Sequence, residues 1–454
     1  MRLTPLLMLL ALPAAAQQPP PSGDPRIHEI VADVAANRIA RDIRTLVSFG
    51  TRHTLSDTVS ATRGIGAARR WIKAEFERIS ADCGGCLDVS YVAEVFPAGA
   101  RRLHPSRETN IVNVVAIQRG VTDPNRVVVM SGDIDSRISD PMNYADSAPG
   151  ANDNASGVAG TLEAARVLTR HQFGGSIAYL ALSGEEQGLY GGQTVARLAR
   201  DSSWNLQAVL NNDMIGNISG INGVIDNATA RVFSDGTPPT ETDQERAARR
   251  FTGGEVDGVS RQLARYIDRI ADHYLPGLDV LLVYRLDRFG RGGHHRPFAD
   301  LGFPAVRIME TNEHYDRQHQ DIRVENGIHY GDVLEGVDFT YAAKLTALNA
   351  ATLAALAWAP RSPQEVRICG AVQASARLAW DPPAHAASVA GYRVYWRLTD
   401  SPTWDNARPV GNATAHTFEG LVVDNYFFGV ASVAADGNES TVVFPRQARR
   451  GEGC

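Results

Sequence analysis

Four acid-tipped segments in the middle of the chain constrain its fold more than any other feature. Between Val127 and Gly216 the sequence reads VVVMSGDIDSR, PGANDNASG, IAYLALSGEEQG and AVLNNDMIG. Each segment begins as a short apolar run or a turn and finishes in carboxylates. These are Asp133 and Asp135, then Asp153, then Glu185 and Glu186, then Asp213. Apolar runs punctuated in this way read as buried strands of a mostly parallel sheet. Ligands of open α/β sheets collect at the carboxyl ends of the strands, so the acids converge on one crevice. So many negative charges together are unfavourable unless a cation sits among them. The pattern therefore implies a metal site, of two ions.

The flanking sequence is consistent with a globular, exported protein. A length of 454 residues suggests two or three domains, and 44% hydrophobic against 21% charged residues is enough to bury a core. A formal net charge of -6 offers no electrostatic reason to bind nucleic acid. Arg2, the apolar run Leu6–Leu12 and Ala14-Ala15-Ala16 have the outline of a signal peptide over 1–16. The expected destination is periplasmic or extracellular, after removal of that segment, with a flexible tail over 17–27. No later stretch is long and apolar enough to span a bilayer, so no stable membrane insertion is expected. In an oxidising compartment four cysteines suggest disulfides. Cys83-Gly84-Gly85-Cys86 reads as a structural disulfide in a turn, and Cys369 and Cys454 bracket the C-terminal region and can pair across it.

Helical periodicity marks 28–48, 64–80, 158–171, 189–200, 259–274 and 337–359. Leu87–Phe96 and Asn110–Ile117 read as antiparallel strands, and Val280–Tyr284 and Phe303–Met309 as further strands. Residues 217–258 read as an insertion facing the active site or solvent. The catalytic domain is thus 28–360, an α/β fold with a mixed, mostly parallel central sheet flanked by helices. After Pro360 the texture changes to short alternating segments at Ser375–Trp380, Tyr392–Arg397, Tyr426–Ser432 and Thr441–Phe444. Turn residues separate them, which is the pattern of a small all-β sandwich. Trp380 before Pro382-Pro383, GYRVYWR and YFFGVASVAADGNES resemble a fibronectin type III domain over 363–454, a module expected to bind a surface or polymer rather than to catalyse.

The segments PGANDNASG, SGEEQGLYGG and NNDMIG resemble the co-catalytic di-zinc aminopeptidases, the secreted bacterial leucyl aminopeptidase group related to glutaminyl cyclases. The likeness covers roughly 110–359. It implies that Asp153 bridges two zinc ions, that Glu186 binds one and Asp213 the other, and that Glu185 is the general base. It also implies a histidine ligand after the last strand. His319, in Arg317-Gln318-His319-Gln320-Asp321, matches that pattern, with His314 as the alternative. Two departures stand out. The family pattern has His-x-Asp at the first ligand, where this chain has Asp133-Ile134-Asp135. It also has an acidic residue before the histidine of the Gly293-His294-His295-Arg296-Pro297-Phe298 stretch, where this chain has His294. Asp133 can bind zinc through oxygen, but it makes the second site all-carboxylate, a set that suits harder ions. In the family pattern Asp135 would orient the first ligand; beside Asp133 it adds repulsion instead, unless metal or Arg137 compensates. His295 either contacts substrate and the oxyanion or bonds to backbone.

The resemblance implies an exported exopeptidase, an aminopeptidase acting on peptide or protein substrates. Two other readings stay open at this point: a glutaminyl-cyclase-like aminoacyltransferase with one zinc, and an inactive metal-binding or adhesion protein.

Overall fold

A computed structural model describes residues 23–449 and 451–454; the expected signal segment lies outside the described residues. Eight strands make the central sheet. They are β1 (Leu87–Phe96), β2 (Thr109–Gln118), β3 (Asp123–Asp133), β4 (Gly175–Leu182), β5 (Asn205–Asn212), β6 (Thr229–Ser234), β7 (Asp279–Val283) and β8 (Ala305–Glu310). Their spatial order is β1-β2-β4-β3-β5-β8-β6-β7. The central strands β4, β3, β5 and β8 are parallel neighbours. β1 and β2 are antiparallel, as expected, and β6 runs against β8.

Every residue of β4 is buried, as befits a strand covered on both faces. Helices provide that cover. α1 (Pro25–Asp33), α2 (Ala36–Ser48), α3 (Gly64–Asp82) and α4 (Ala155–Leu168) precede a short α5 (Glu185–Gly188) and α6 (Tyr190–Asp201). α7 (Asp243–Thr252), α8 (Val259–Tyr274), α9 (His295–Ala299) and α10 (Phe339–Trp358) follow. Val128, Met130, Ile177 and Leu210 face a core shared with α1–α4, α8 and α10. Their alternates Val127, Val129, Ala178 and Val209 face a second core under α6 and α9. Period-two alternation thus sends each strand's side chains into both cores.

Two boundaries differ from expectation. α1 begins at Pro25 on an Asp24 cap, inside the segment 17–27 expected as a tail, because Ile27 and Ile30 find the core. The periodic stretch 28–48 is two helices, with the break held by Ala35 N–H donating to Glu163. Residues 217–258 are not wholly an insertion either: β6 comes from them and pairs within the sheet.

Beyond the sheet, β9 (Arg323–Glu325) and β10 (Ile328–Tyr330) form a small hairpin. The C-terminal region contains β11 (Gln364–Cys369), β12 (Ala376–Asp381), β13 (Gly391–Leu398), β14 (Asn406–Gly411), β15 (Ala415–Phe418), β16 (Tyr426–Val433) and β17 (Arg446–Gln447). These make a four-stranded and a three-stranded sheet closed over Trp380, Tyr392, Phe418 and Phe428. Thr441–Phe444, expected as a strand, contributes only a bridge between Val443 and Val430. Both cysteine pairs are disulfides: Cys83–Cys86 in the turn from α3 to β1, and Cys369–Cys454 tying β11 to the chain end.

Candidate metal centre

The acids do converge. Asp133 ends β3, Glu185 and Glu186 open α5 just after β4, and Asp213 follows β5. Asp153 lies immediately before the Asn154 cap of α4, and His319 lies in the loop after β8. Gly184, at a φ of 75°, makes the turn that points the Glu185-Glu186 pair back into the crevice. Leu189, Met214 and His319 also hold left-handed backbone around it. Such conformations cost roughly 1–3 kcal/mol each and gather at functional sites.

Three of the expected ligands meet. His319 Nε2 is 2.9 Å from Asp153 Oδ2 and 2.9 Å from Glu186 Oε1, and the three ligand atoms lie within 4.8 Å of one another. One imidazole and two carboxylates are a donor set that suits zinc. Supporting groups fix each ligand. Arg137 donates to Glu186 Oε2 at 2.7 Å and lies 2.7 Å from His319 Nδ1. The Asp332 carboxylate accepts from the N–H groups of Asn152 and Asp153 at 2.8 and 2.7 Å. Burial opposes an imidazolium at His319, but Glu186 and Asp153 outweigh it and push the ring up to about 9. The same two carboxylates would draw a divalent cation. His314, the alternative ligand, is not among the three.

Asp133 and Asp213 reach the crevice but stand apart from this trio. Asp133 Oδ1 is 2.6 Å from His294 Nδ1, and its Oδ2 accepts from Asn154 Nδ2 at 2.8 Å. Asp213 Oδ2 is 2.7 Å from the Arg307 guanidinium. Arg307 projects from β8, is fully buried, and also faces Asp287 at 3.2 Å. Asp135 does not orient Asp133. Its carboxylate accepts from the N–H groups of Glu185 and Glu186 at 3.2 and 3.0 Å, fixing the first turn of α5. Burial and then Glu186 push it up to about 6. Arg137 accordingly serves Glu186 rather than Asp133.

Glu185 faces a cleft of about 560 Å³ with Asp153, Glu186, Asp213 and His319. Withdrawal from water, then the charges of Glu186, Asp213, Asp133 and Asp135, hold its carboxyl well above the ordinary range. Such a group keeps a proton readily once it has taken one. His295 does not face the cleft. It is fully buried, its Nε2 is 2.7 Å from the Leu286 carbonyl, and burial lowers it to about 4. It bonds the loop backbone at Leu286.

Sequence reasoning missed Arg307 and Asp332, and noted His294 only as a departure from the family pattern. An arginine inside the apolar strand AVRIME was a signal, because a buried guanidinium needs acid partners.

Comparison with known proteins agrees with this geometry. The profile of Peptidase family M28 matches residues 113–329. A probable zinc metalloprotease of Leptosphaeria maculans is 43% identical over 94% of this chain and 98% of its own. Another from Pyrenophora teres f. teres is 42% identical over 94% and 88%. These relatives are fungal, which corrects the expectation of a bacterial branch. Among solved structures, the LapA aminopeptidase of Legionella pneumophila has the same fold, with a TM-score of 0.54 at 19% identity over 78% of each chain. Kinship along nearly the whole chain with zinc metalloproteases, and a zinc-compatible trio at the strand ends, lead to one conclusion: the chain belongs to Peptidase family M28 and is a metallopeptidase.

Proposed function

We propose that this protein is a zinc aminopeptidase, with Asp153, Glu186 and His319 as ligands and Glu185 as general base. The observation that carries the reading is the trio within ligand distance beside a Glu185 that opens on the same cleft. Zinc held there supplies a Lewis acid that polarises a carbonyl and makes water acidic at neutral pH. Glu185 takes the proton of the attacking water and delivers it to the departing amine nitrogen. Asp135 keeps Glu185 aimed by fixing its N–H group, and Arg137 holds Glu186 in place.

The cleft walls also speak to substrate. Arg101, Arg102 and Arg291 stand exposed on them and favour peptides whose carboxylates reach past the scissile bond. Work in an oxidising compartment outside the cytoplasm is part of the proposal, supported by the two disulfides. So is the reading of 363–454 as a fibronectin type III-like module, supported by its two packed sheets.

The test is a substrate panel on the zinc-loaded protein. Release of chromophore from aminoacyl-nitroanilides is expected, and Glu185→Gln should lower kcat by about 10²–10⁴-fold with zinc retained. Ammonia release from N-terminal glutamine peptides instead would support the cyclase alternative. Full activity in Glu185→Gln would refute the base assignment.

A further inference from the structure

The crevice has two halves, and the protein treats them differently. In one, Asp153, Glu186 and His319 turn their ligand atoms toward one another. In the other, Asp133 and Asp213, the acids expected to hold a second ion, are already engaged by the protein's own cations and donors. We propose that the protein binds a single zinc ion, on Asp153, Glu186 and His319, and that the Arg307 guanidinium supplies the positive charge where a second ion was expected. This rests on the metal-centre reading above and deepens it.

Three observations carry the inference. The first is Arg307. Its Nη2 is 2.7 Å from Asp213 Oδ2, and its Nη1 is 3.2 Å from both Asp287 oxygens and 2.9 Å from the Gly292 carbonyl. A guanidinium does not deprotonate in a protein, so it is a fixed charge. Arg288 adds a second, 4.0 Å from the same Asp213 oxygen. A dication drawn to Asp213 would meet both at close range and would strip a fully buried arginine of one of its two carboxylates.

The second is Asp133. Oδ1 faces His294 Nδ1 at 2.6 Å and Asn211 Nδ2 at 3.4 Å, while Oδ2 takes the Asn154 amide at 2.8 Å. Both oxygens therefore have partners within a buried network, in which His294 Nε2 and Asn211 Oδ1 are left unpaired. The third is the residue pairing itself. The two positions at which this chain departs from the family pattern are Asp133 and His294, and those two side chains touch. At these two positions the histidine and the acid of the family pattern stand exchanged. Asp133, at the expected ligand position, is thus a hydrogen-bond partner of His294.

The experiment is zinc stoichiometry of the full chain, dialysed after loading and measured by elemental analysis and native mass spectrometry. One zinc per wild-type chain is expected, one per chain in Asp213→Asn, and none in Asp153→Asn. Two zinc ions per wild-type chain, or loss of the ion in Asp213→Asn, would overturn the proposal while leaving the metal centre standing. No zinc in the wild type would overturn the metal-centre reading as well. Should Asp213→Asn fail to fold, the wild-type count alone decides.

Discussion

His319 sets the balance of charge at the centre. With its ring pushed up to about 9, zinc must displace a proton from it at neutral pH. Zinc affinity should therefore rise about tenfold per pH unit up to about 9 and flatten above it. Competition with a chelator across this range measures the slope, and a flat response would remove His319 from the ligand set. The sign for stability in the zinc-free chain is the reverse. The raised value stabilises the fold fully below the ordinary 6.5, and that contribution is lost as pH rises through about 9. Residue chemistry was only partly legible in the sequence. Asp153 and Glu186 could be singled out as acids at strand ends, whereas His319 was chosen over His314 only through the family resemblance. The partners of Arg307 were not legible, because they are set by neighbouring strands far away in sequence: Asp213 follows β5 and Asp287 lies beyond β7.

At the scale of elements, the centre depends on how closely α4 lies on the sheet. All fourteen residues of α4 are buried, and its glycines allow backbone to meet backbone. A Cβ on Gly132, in β3, would come within 2.3 Å of the Gly157 backbone, and one on Gly157 within 2.2 Å of the Asn212 carbonyl. Gly132→Ala should therefore push α4 outward and carry Asp153 with it. The expected cost is about 1–3 kcal/mol in stability, read by urea denaturation, together with weakened zinc binding. Unchanged stability and unchanged zinc affinity would show that the close approach does not position the ligand. Element type was easier to read than element boundary. Long periodic runs such as Val259–Tyr274 emerged as helices because their apolar stripe is continuous. β6 was hidden in a polar, glycine-rich surrounding, and its six residues became a strand only because β7 and β8 flank it.

Across the whole molecule, the C-terminal sheets are docked against α8 and the residues before it. Asp257, just before α8, pairs with Arg265 at 2.7 Å and with Arg397 of β13 at 2.7 Å. Tyr266 donates to the Glu439 carbonyl at 3.0 Å, and Trp404 to Gln262 at 3.0 Å. Arg361 closes on Asp123 at 2.6 Å beside the domain junction. The sandwich itself was legible from alternation and turn residues. Its docking was not, since buried charges such as Asp257 and Arg397 carry no pairing information in their sequence positions. The metal centre lies elsewhere, where the parallel strands deliver their ligands. Anomalous diffraction at the zinc edge, from crystals of the zinc-loaded protein, tests it most directly. One peak is expected, within about 2.0–2.2 Å of the Asp153, Glu186 and His319 donor atoms. A peak lying between Asp133 and Asp213, or none beside His319, would contradict it.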